Sequence, residues 1–413
     1  MADILQQVTT YNDGGLALLQ NLFCFINKSN KKFKDFDKSE PANQGSSVSF
    51  DIPPRMTANN SLIASFQDVE QRVQTLTVDQ AASVSYDFTA GQFIFNVRDY
   101  MEKFGKSAIA EIGSKVEANI ATLAKTNTYR FFGDGVTPIN SQLQLANALA
   151  YFRNFGTVRT NTVGILSDLT FPGIVNSMAN QFAPSRNEDV VNSWEIGNFS
   201  DCEWYQSNLL ATHTAGTEGA QGSTLTVVSV VKNAANAVTS IVFSGTSAAA
   251  DADSVKDLDK FQFSDGVSGQ PNMRFLTQFG HEVSQSPVQF RATADAASTG
   301  ASQVTVSVFP PLQAAAGQAQ NVNNEIAAGM QVTVLPSHRC GLIYSGDPLY
   351  LAMPRLPEEV PFPTANQMDK DSGCSIRQYY GSLFGQNQRA MVHDVIWGST
   401  LVEDYAMMVA LPL

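Results

Sequence analysis

Hydrophobic and polar residues alternate at Val48, Phe50 and Ile52, the pattern of a half-buried strand. Pro53 and Pro54 end that run. A polar stretch with Thr57, Asn59, Asn60 and Ser61 follows. Alternation then returns at Val73, Leu76 and Val78, at Val84, Tyr86 and Phe88, and at Phe93, Phe95 and Val97. The pattern predicts an extended β-loop and associated strands over 46–98. An isolated hairpin is marginal in water, so this loop is expected to lean on something else. The period then changes. Ile109, Ile112, Val116, Ile120 and Leu123 recur at steps of three and four, which predicts one long helix from Asp99 to Phe132. Glu102, Glu111, Glu117, Lys103, Lys106 and Lys115 fall off that face, and Gly133-Asp134-Gly135 stops the helix. Upstream, Leu16, Leu19, Phe23 and Ile26 have helical spacing, and Lys28, Lys31, Lys32, Lys34 and Lys38 follow. Residues 1–45 therefore form an arm.

Residues 137–215 alternate helix (Leu143–Phe152), strand (Thr162–Leu166), helix (Phe171–Phe182) and strand (Cys202–Leu210). At Gly216 the composition shifts to Ala, Ser, Thr, Gly, Val and Gln. Short apolar runs appear at Leu225–Val231, Val238–Phe243, Phe261–Phe263, Met273–Phe279, Val288–Ala292, Val304–Val308 and Val332–Leu335. Turn residues separate them at barrel-like spacing. Residues 216–336 are thus expected to form an inserted all-β barrel whose two ends lie close together, because an α/β region continues on both sides. From 337 to 413 the earlier composition returns, with strands at Cys374–Tyr380, Met391–Gly398 and Met407–Leu411. The fold class is α+β, with 99–136 as the spine of one region and 137–215 as an α/β domain that 337–413 completes.

Composition narrows the function. The 413 residues include 26 basic and 38 acidic ones, a net charge of -12. A protein that grips nucleic acid through phosphates carries the opposite balance. Only 15% of residues are charged, so the chain relies on polar uncharged surface or on surface that another subunit covers. The four cysteines, Cys24, Cys202, Cys340 and Cys374, are too scattered for a disulfide framework or a CxxC motif. The amino-terminal sequence lacks the signature of a signal peptide, and no apolar run is long enough to span a bilayer. His338 and Cys340 make an isolated HxC with no second pair, too little for zinc. Phosphate-binding, nucleophile-elbow and zinc-protease motifs are absent. Asp251, Asp253, Asp257 and Asp259 lack the glycine and terminal glutamate of a calcium loop. The sequence therefore points to a non-enzyme with neither cofactor nor metal.

The order of arm, extended loop, spine helix, α/β region, inserted β-module and β-rich return resembles the major capsid protein of tailed double-stranded DNA phages, the HK97-like fold. The insertion makes the chain most similar to the coat proteins of short-tailed Salmonella phages. The stretches Asp201-Cys202-Glu203-Trp204-Tyr205-Gln206-Ser207-Asn208-Leu209-Leu210, Asp259-Lys260-Phe261-Gln262-Phe263-Ser264-Asp265-Gly266-Val267 and Cys374-Ser375-Ile376-Arg377-Gln378-Tyr379-Tyr380-Gly381 carry the likeness.

The resemblance implies a structural subunit that self-assembles as pentamers and hexamers into an icosahedral shell. It implies a scaffolding protein during assembly, a portal protein at one vertex, decoration proteins on some shells, and packaged DNA enclosed without sequence-specific binding. The expected location is the virion, after assembly in the host bacterial cytoplasm, with no membrane involved. In the relatives a long charged loop of the insertion contacts a subunit across the two-fold axis. The corresponding place here is the short turn Lys232–Ala237, and the acidic stretch Ala250–Asp259 follows one strand later. Phe50, Ile52 and Arg55 on the loop, and Asp251, Asp253, Asp257 and Asp259 on the module, are the expected intersubunit contacts. Lys31, Lys32 and Lys34 are the expected scaffold contacts. The alternatives are a β-rich surface or fibre protein that binds a receptor, which leaves the spine helix unexplained, and a bacterial protein compartment of the same fold.

Overall fold

The computed structural model describes residues 23–31, 46–53, 56, 66, 71–89, 105–157, 160–179, 198–357, 364–368, 374–382 and 388–413. Arg55, Lys32 and Lys34 lie outside the described residues. The chain folds as two compact units. The first takes in Met1–Asp51, Val73–Leu123 and Asp347–Val402, and the second Ile52–Arg72, Ala124–Gly346 and Glu403–Leu413.

In the first unit the short helix α1 (Cys24–Lys28) and the long helix α2 (Lys106–Thr126), whose last residues from Ala124 belong to the second unit, accompany a five-stranded sheet. Strand β21 (Gln388–Leu401) is long enough to take three antiparallel partners: β3 (Gln80–Thr89), β18 (Leu349–Ala352) and β20 (Ser375–Ser382). Strand β19 (Thr364–Met368) adds to β20. Met391, His393, Val395 and Trp397 alternate along β21 and all are buried, as the two-residue period of a strand dictates. On α2, Ile109, Ile112, Val116 and Ile120 form the buried stripe. The indole N–H of Trp397 donates to the Asn119 side chain at 3.0 Å. The expected loop begins as a two-stranded ribbon of β1 (Ser47–Ile52) and β2 (Arg72–Thr77). Val48, Phe50 and Val78 pack on Leu76 and Ala352, and the Phe50 ring lies 4.6 Å from that of Tyr350.

The second unit holds a seven-stranded sheet and a closed barrel. The sheet runs β4 (Phe131–Phe132), β22 (Ala406–Leu411), β17 (His338–Tyr344), β5 (Thr162–Ser167), β7 (Cys202–Ser207) and β6 (Asn198–Phe199), with β8 (Thr212–His213) also on β17. Gly164 on β5 lies beneath Trp204, where a Cβ would come within 2.3 Å of the indole. Helix α3 (Gln142–Arg153) starts from Ser141, whose hydroxyl accepts the Gln144 N–H, while the Gln144 side chain accepts the Asn140 N–H at 2.9 Å. This reciprocal arrangement satisfies two donors at the helix start. With α4 (Phe171–Ala179), α3 covers the sheet through Leu145, Leu149, Phe152 and Ile174.

The barrel closes in the order β10 (Val238–Ser244), β15 (Gln303–Leu312), β14 (Gln289–Ala292), β11 (Lys260–Phe263), β16 (Gln331–Val334) and β9 (Thr224–Lys232). Inward residues alternate along β15 and β16, and β10 shifts register between Val238 and Ser240. Phe243, Phe261 and Phe290 stack almost parallel at its centre, with Phe261 and Phe290 5.1 Å apart. Closure leaves no open sheet edge. The entering strand β9 and the leaving strand β16 pair directly, Thr224 opposite Thr333.

Two expectations change. Of seven apolar runs, six build the barrel. The seventh, β12 (Arg274–Leu276), pairs instead with β13 (Val283–Pro287) as a side hairpin. The sequence Val-Ser-Gln-Ser-Pro of β13 carries too little apolar signal to announce a strand. The long helix also stops at Thr126, six residues short of Phe132. Thr128 turns its hydroxyl back to the Ala124 carbonyl, and Phe131–Phe132 leave as strand β4.

Candidate functional site

No group of His, Cys, Asp and Glu side chains suited to a metal occurs among the described residues, and no described helix is long and apolar enough to cross a membrane. The distinctive chemistry is a buried polar junction where β11 of the barrel meets the end of α2 and strands β8 and β17. Asp259 is fully buried. Its carboxylate accepts the His213 Nε2–H at 2.7 Å, the Gly216 N–H at 3.1 Å and the Lys256 N–H at 2.8 Å. Gly216 is required here, because a Cβ would lie 2.6 Å from the Ser254 carbonyl. The next residue, Lys260, points the other way. Its ammonium donates to the Thr128 carbonyl, to the Thr128 hydroxyl at 3.2 Å and to the Lys125 carbonyl at 3.5 Å. A cation thus caps the carboxyl end of a long helix, where unpaired carbonyls and the helix dipole favour it.

Burial shifts the neighbours. It lowers the Lys260 ammonium to about 7 and His338 to about 3, and it raises the Cys340 thiol to about 11. The Nδ1–H of His338 donates to the Pro336 carbonyl at 2.7 Å, and its ring centre lies 5.5 Å from that of His213. None of these groups opens to solvent, so the arrangement is a structural clamp. It fixes the inserted barrel against the helix end and the sheet.

Asp259 is therefore no surface contact: its oxygens are spent inside the subunit. Its acidic neighbours divide. Asp251 is partly buried, where its N–H meets the Ser298 hydroxyl and its carboxylate accepts the Asp253 N–H. Asp253 and Asp257 are exposed. On the ribbon, Ile52 is only 8% exposed and Phe50 is half-buried against Tyr350. Phe50 packs with Val48 and Val78 on Leu76 and Ala352. Exposed apolar side chains between 52 and 78 include Met56 at 54%, Phe66 at 98% and Val73 at 53%. Leu143 and Leu169 are exposed on the α/β domain. Lys31 is half-buried, and its charge favours the ionised form of Glu117. Glu117, which the periodicity puts off the buried face, is itself buried.

The P22 coat protein family (gene protein 5) matches residues 206–406, a stretch that holds the whole barrel and most of the carboxyl-terminal strands. No curated protein matches the sequence. Solved structures with a similar course include one from Mycobacterium phage Che8, at 9% identity and a TM-score of 0.46, over 94% of this chain and 90% of that one. The capsid of Ralstonia phage GP4 aligns at 8% identity and 0.42, over 90% and 85%. A capsid of Helicobacter pylori bacteriophage KHP30 aligns at 11% and 0.38, over 88% and 84%. The family match is the finding that bears on function: over residues 206–406 the chain is similar to the P22 coat protein family.

Proposed function

We propose that this chain is the major capsid protein of a tailed double-stranded DNA phage, a non-enzymatic subunit that assembles into the shell around the genome. The observation that carries the reading is the coat-protein match across residues 206–406, the stretch in which an inserted closed barrel returns to an α+β frame. The surface supports it. Met56, Phe66, Val73, Leu143 and Leu169 expose apolar side chains that neighbouring copies would cover. The net charge of -12 suits a wall that must not adhere to packaged DNA. In this reading pentamers and hexamers close the shell, and a scaffolding protein directs assembly in the host cytoplasm. A portal occupies one vertex, and exposed Asp253 and Asp257 are candidate contacts between neighbouring subunits. Expression of the full chain, followed by sedimentation and electron microscopy, tests the reading. Closed particles of megadalton size, or monomers that form them when scaffold is added, are expected. A stable trimer that never closes a shell would instead make it a fibre or receptor-binding protein.

A further inference from the structure

The short helix α1 has no means of standing alone. It is five residues long, well below the length at which an isolated helix persists in water. Its N-cap position is Phe23, which has no side-chain acceptor for the first amides. Those amides are nonetheless satisfied from far away in sequence. The Phe25 N–H donates to one oxygen of Glu117 at 2.8 Å, and the Ile26 N–H to the other at 3.0 Å. Phe25, Ile26 and Glu117 are all buried. Along its own helix Glu117 sits in the row Gly113–Glu117–Ala121, whose small buried members leave room for a backbone to reach the carboxylate.

We propose that Glu117 is a latch for residues 23–31 of the amino-terminal arm: its carboxylate caps α1 across the fold, and this segment stays ordered on α2 only while that cap is made. A bidentate carboxylate at the two amides is the charge-assisted form of an N-cap, stronger than a neutral one, and an anion suits a helix start. Burial pushes the carboxyl upward while the amides of Phe25, Ile26 and Cys24 and the charge of Lys31 pull it down. An aliphatic side chain in this place would fill the space with no such opposition, so the acid serves the amides rather than the core. A second tie lies five residues on. The Asn30 N–H donates to the Leu349 carbonyl at 2.7 Å, and the Leu351 N–H donates to that of Asn30 at 3.1 Å. The arm is thus pinned at two points, and the helix between them depends on the first. Order and disorder of such a segment is a recognised form of switch.

Hydrogen exchange on the full chain tests this without reference to shell formation. In Glu117→Leu, which keeps volume but has no acceptor, the amides of residues 24–31 should exchange at least about tenfold faster, a loss of about 1.4 kcal/mol of protection. Amides of β21 should keep their wild-type rates. Glu117→Gln, with a single acceptor oxygen, should fall between. Wild-type protection of 24–31 in both variants would overturn the proposal. So would equal loss over 24–31 and β21, since Glu117 would then be holding up the whole unit and not the arm.

Discussion

The barrel and the β1–β2 ribbon are both antiparallel β-structure, yet they bury their apolar residues in opposite ways. The barrel turns every strand's inner face toward one centre, and its Phe243, Phe261 and Phe290 stack is closed to solvent. The ribbon has only two strands. It rests Val48, Phe50 and Val78 on β18 and leaves Val73 in water. Closure gathers the module's apolar faces into one core, which Tyr129 and Phe155 of the frame also join, whereas a ribbon remains incomplete and can be finished by a neighbour. If the chain is the capsid subunit proposed above, the unfinished element is the one that can still form contacts with another copy.

The largest effect is expected from opening the closed side of this comparison. Phe290→Ala removes a fully buried ring from the stack and should cost about 3–5 kcal/mol, seen as a large drop in the thermal midpoint of the full chain. The fragment Gly216–Pro336 alone should give a dispersed amide NMR spectrum. Collapsed peaks would show that the barrel borrows its stability from the frame.

Next in size is an effect of acid on the first unit, where the ribbon rests. Burial lowers His393 on β21 from its ordinary 6.5 to about 4. The folded state therefore binds fewer protons than the unfolded one between those values. The neutral ring contributes stability that is complete above pH 6.5 and lost as pH falls toward 4, up to roughly 3 kcal/mol. Denaturant titrations of wild type and His393→Gln across this window should diverge, with the variant flatter. Parallel curves would mean that His393 does not set the acid response.

The smallest effect on folding should come from Val73→Asp, on the ribbon's open face. Stability should change by no more than about 0.5 kcal/mol, while the yield of assembled shells, measured by sedimentation, should fall sharply. Normal shells from this variant would remove the ribbon's open face from the assembly surface.

Much of this contrast was legible in the amino-acid pattern. Strict alternation at Val304–Val308 and the short apolar run Val238–Phe243 announced barrel strands, and the steps Ile109, Ile112, Val116, Ile120 announced the helix face. What escaped was burial that depends on distant partners. Asp259 and Lys260 look like a solvated acidic loop until His213 and the Thr128 carbonyl are brought to them, 46 and 132 residues away. Glu117 looks exposed until α1 arrives from 91 residues upstream. Periodicity reports a residue's face on its own element. It is silent about a charge whose counterpart is supplied by another element. On the ribbon, alternation marks Phe50 and Ile52 as contacts; the single chain buries Ile52 and half-buries Phe50 against Tyr350.

The direct pairing of β9 with β16 reaches beyond the single subunit. Upstream of it, His213 on β8 lies opposite His338 on β17, so the chain departs and returns through a doorway one strand spacing wide, about 4.8 Å. A length of gene bounded by those two codons is a cassette. Recombination can exchange it for another barrel, or for a tight turn, and the frame on either side need not learn a new geometry. Any segment whose two ends lie one strand spacing apart meets the same condition, whatever it folds into between them.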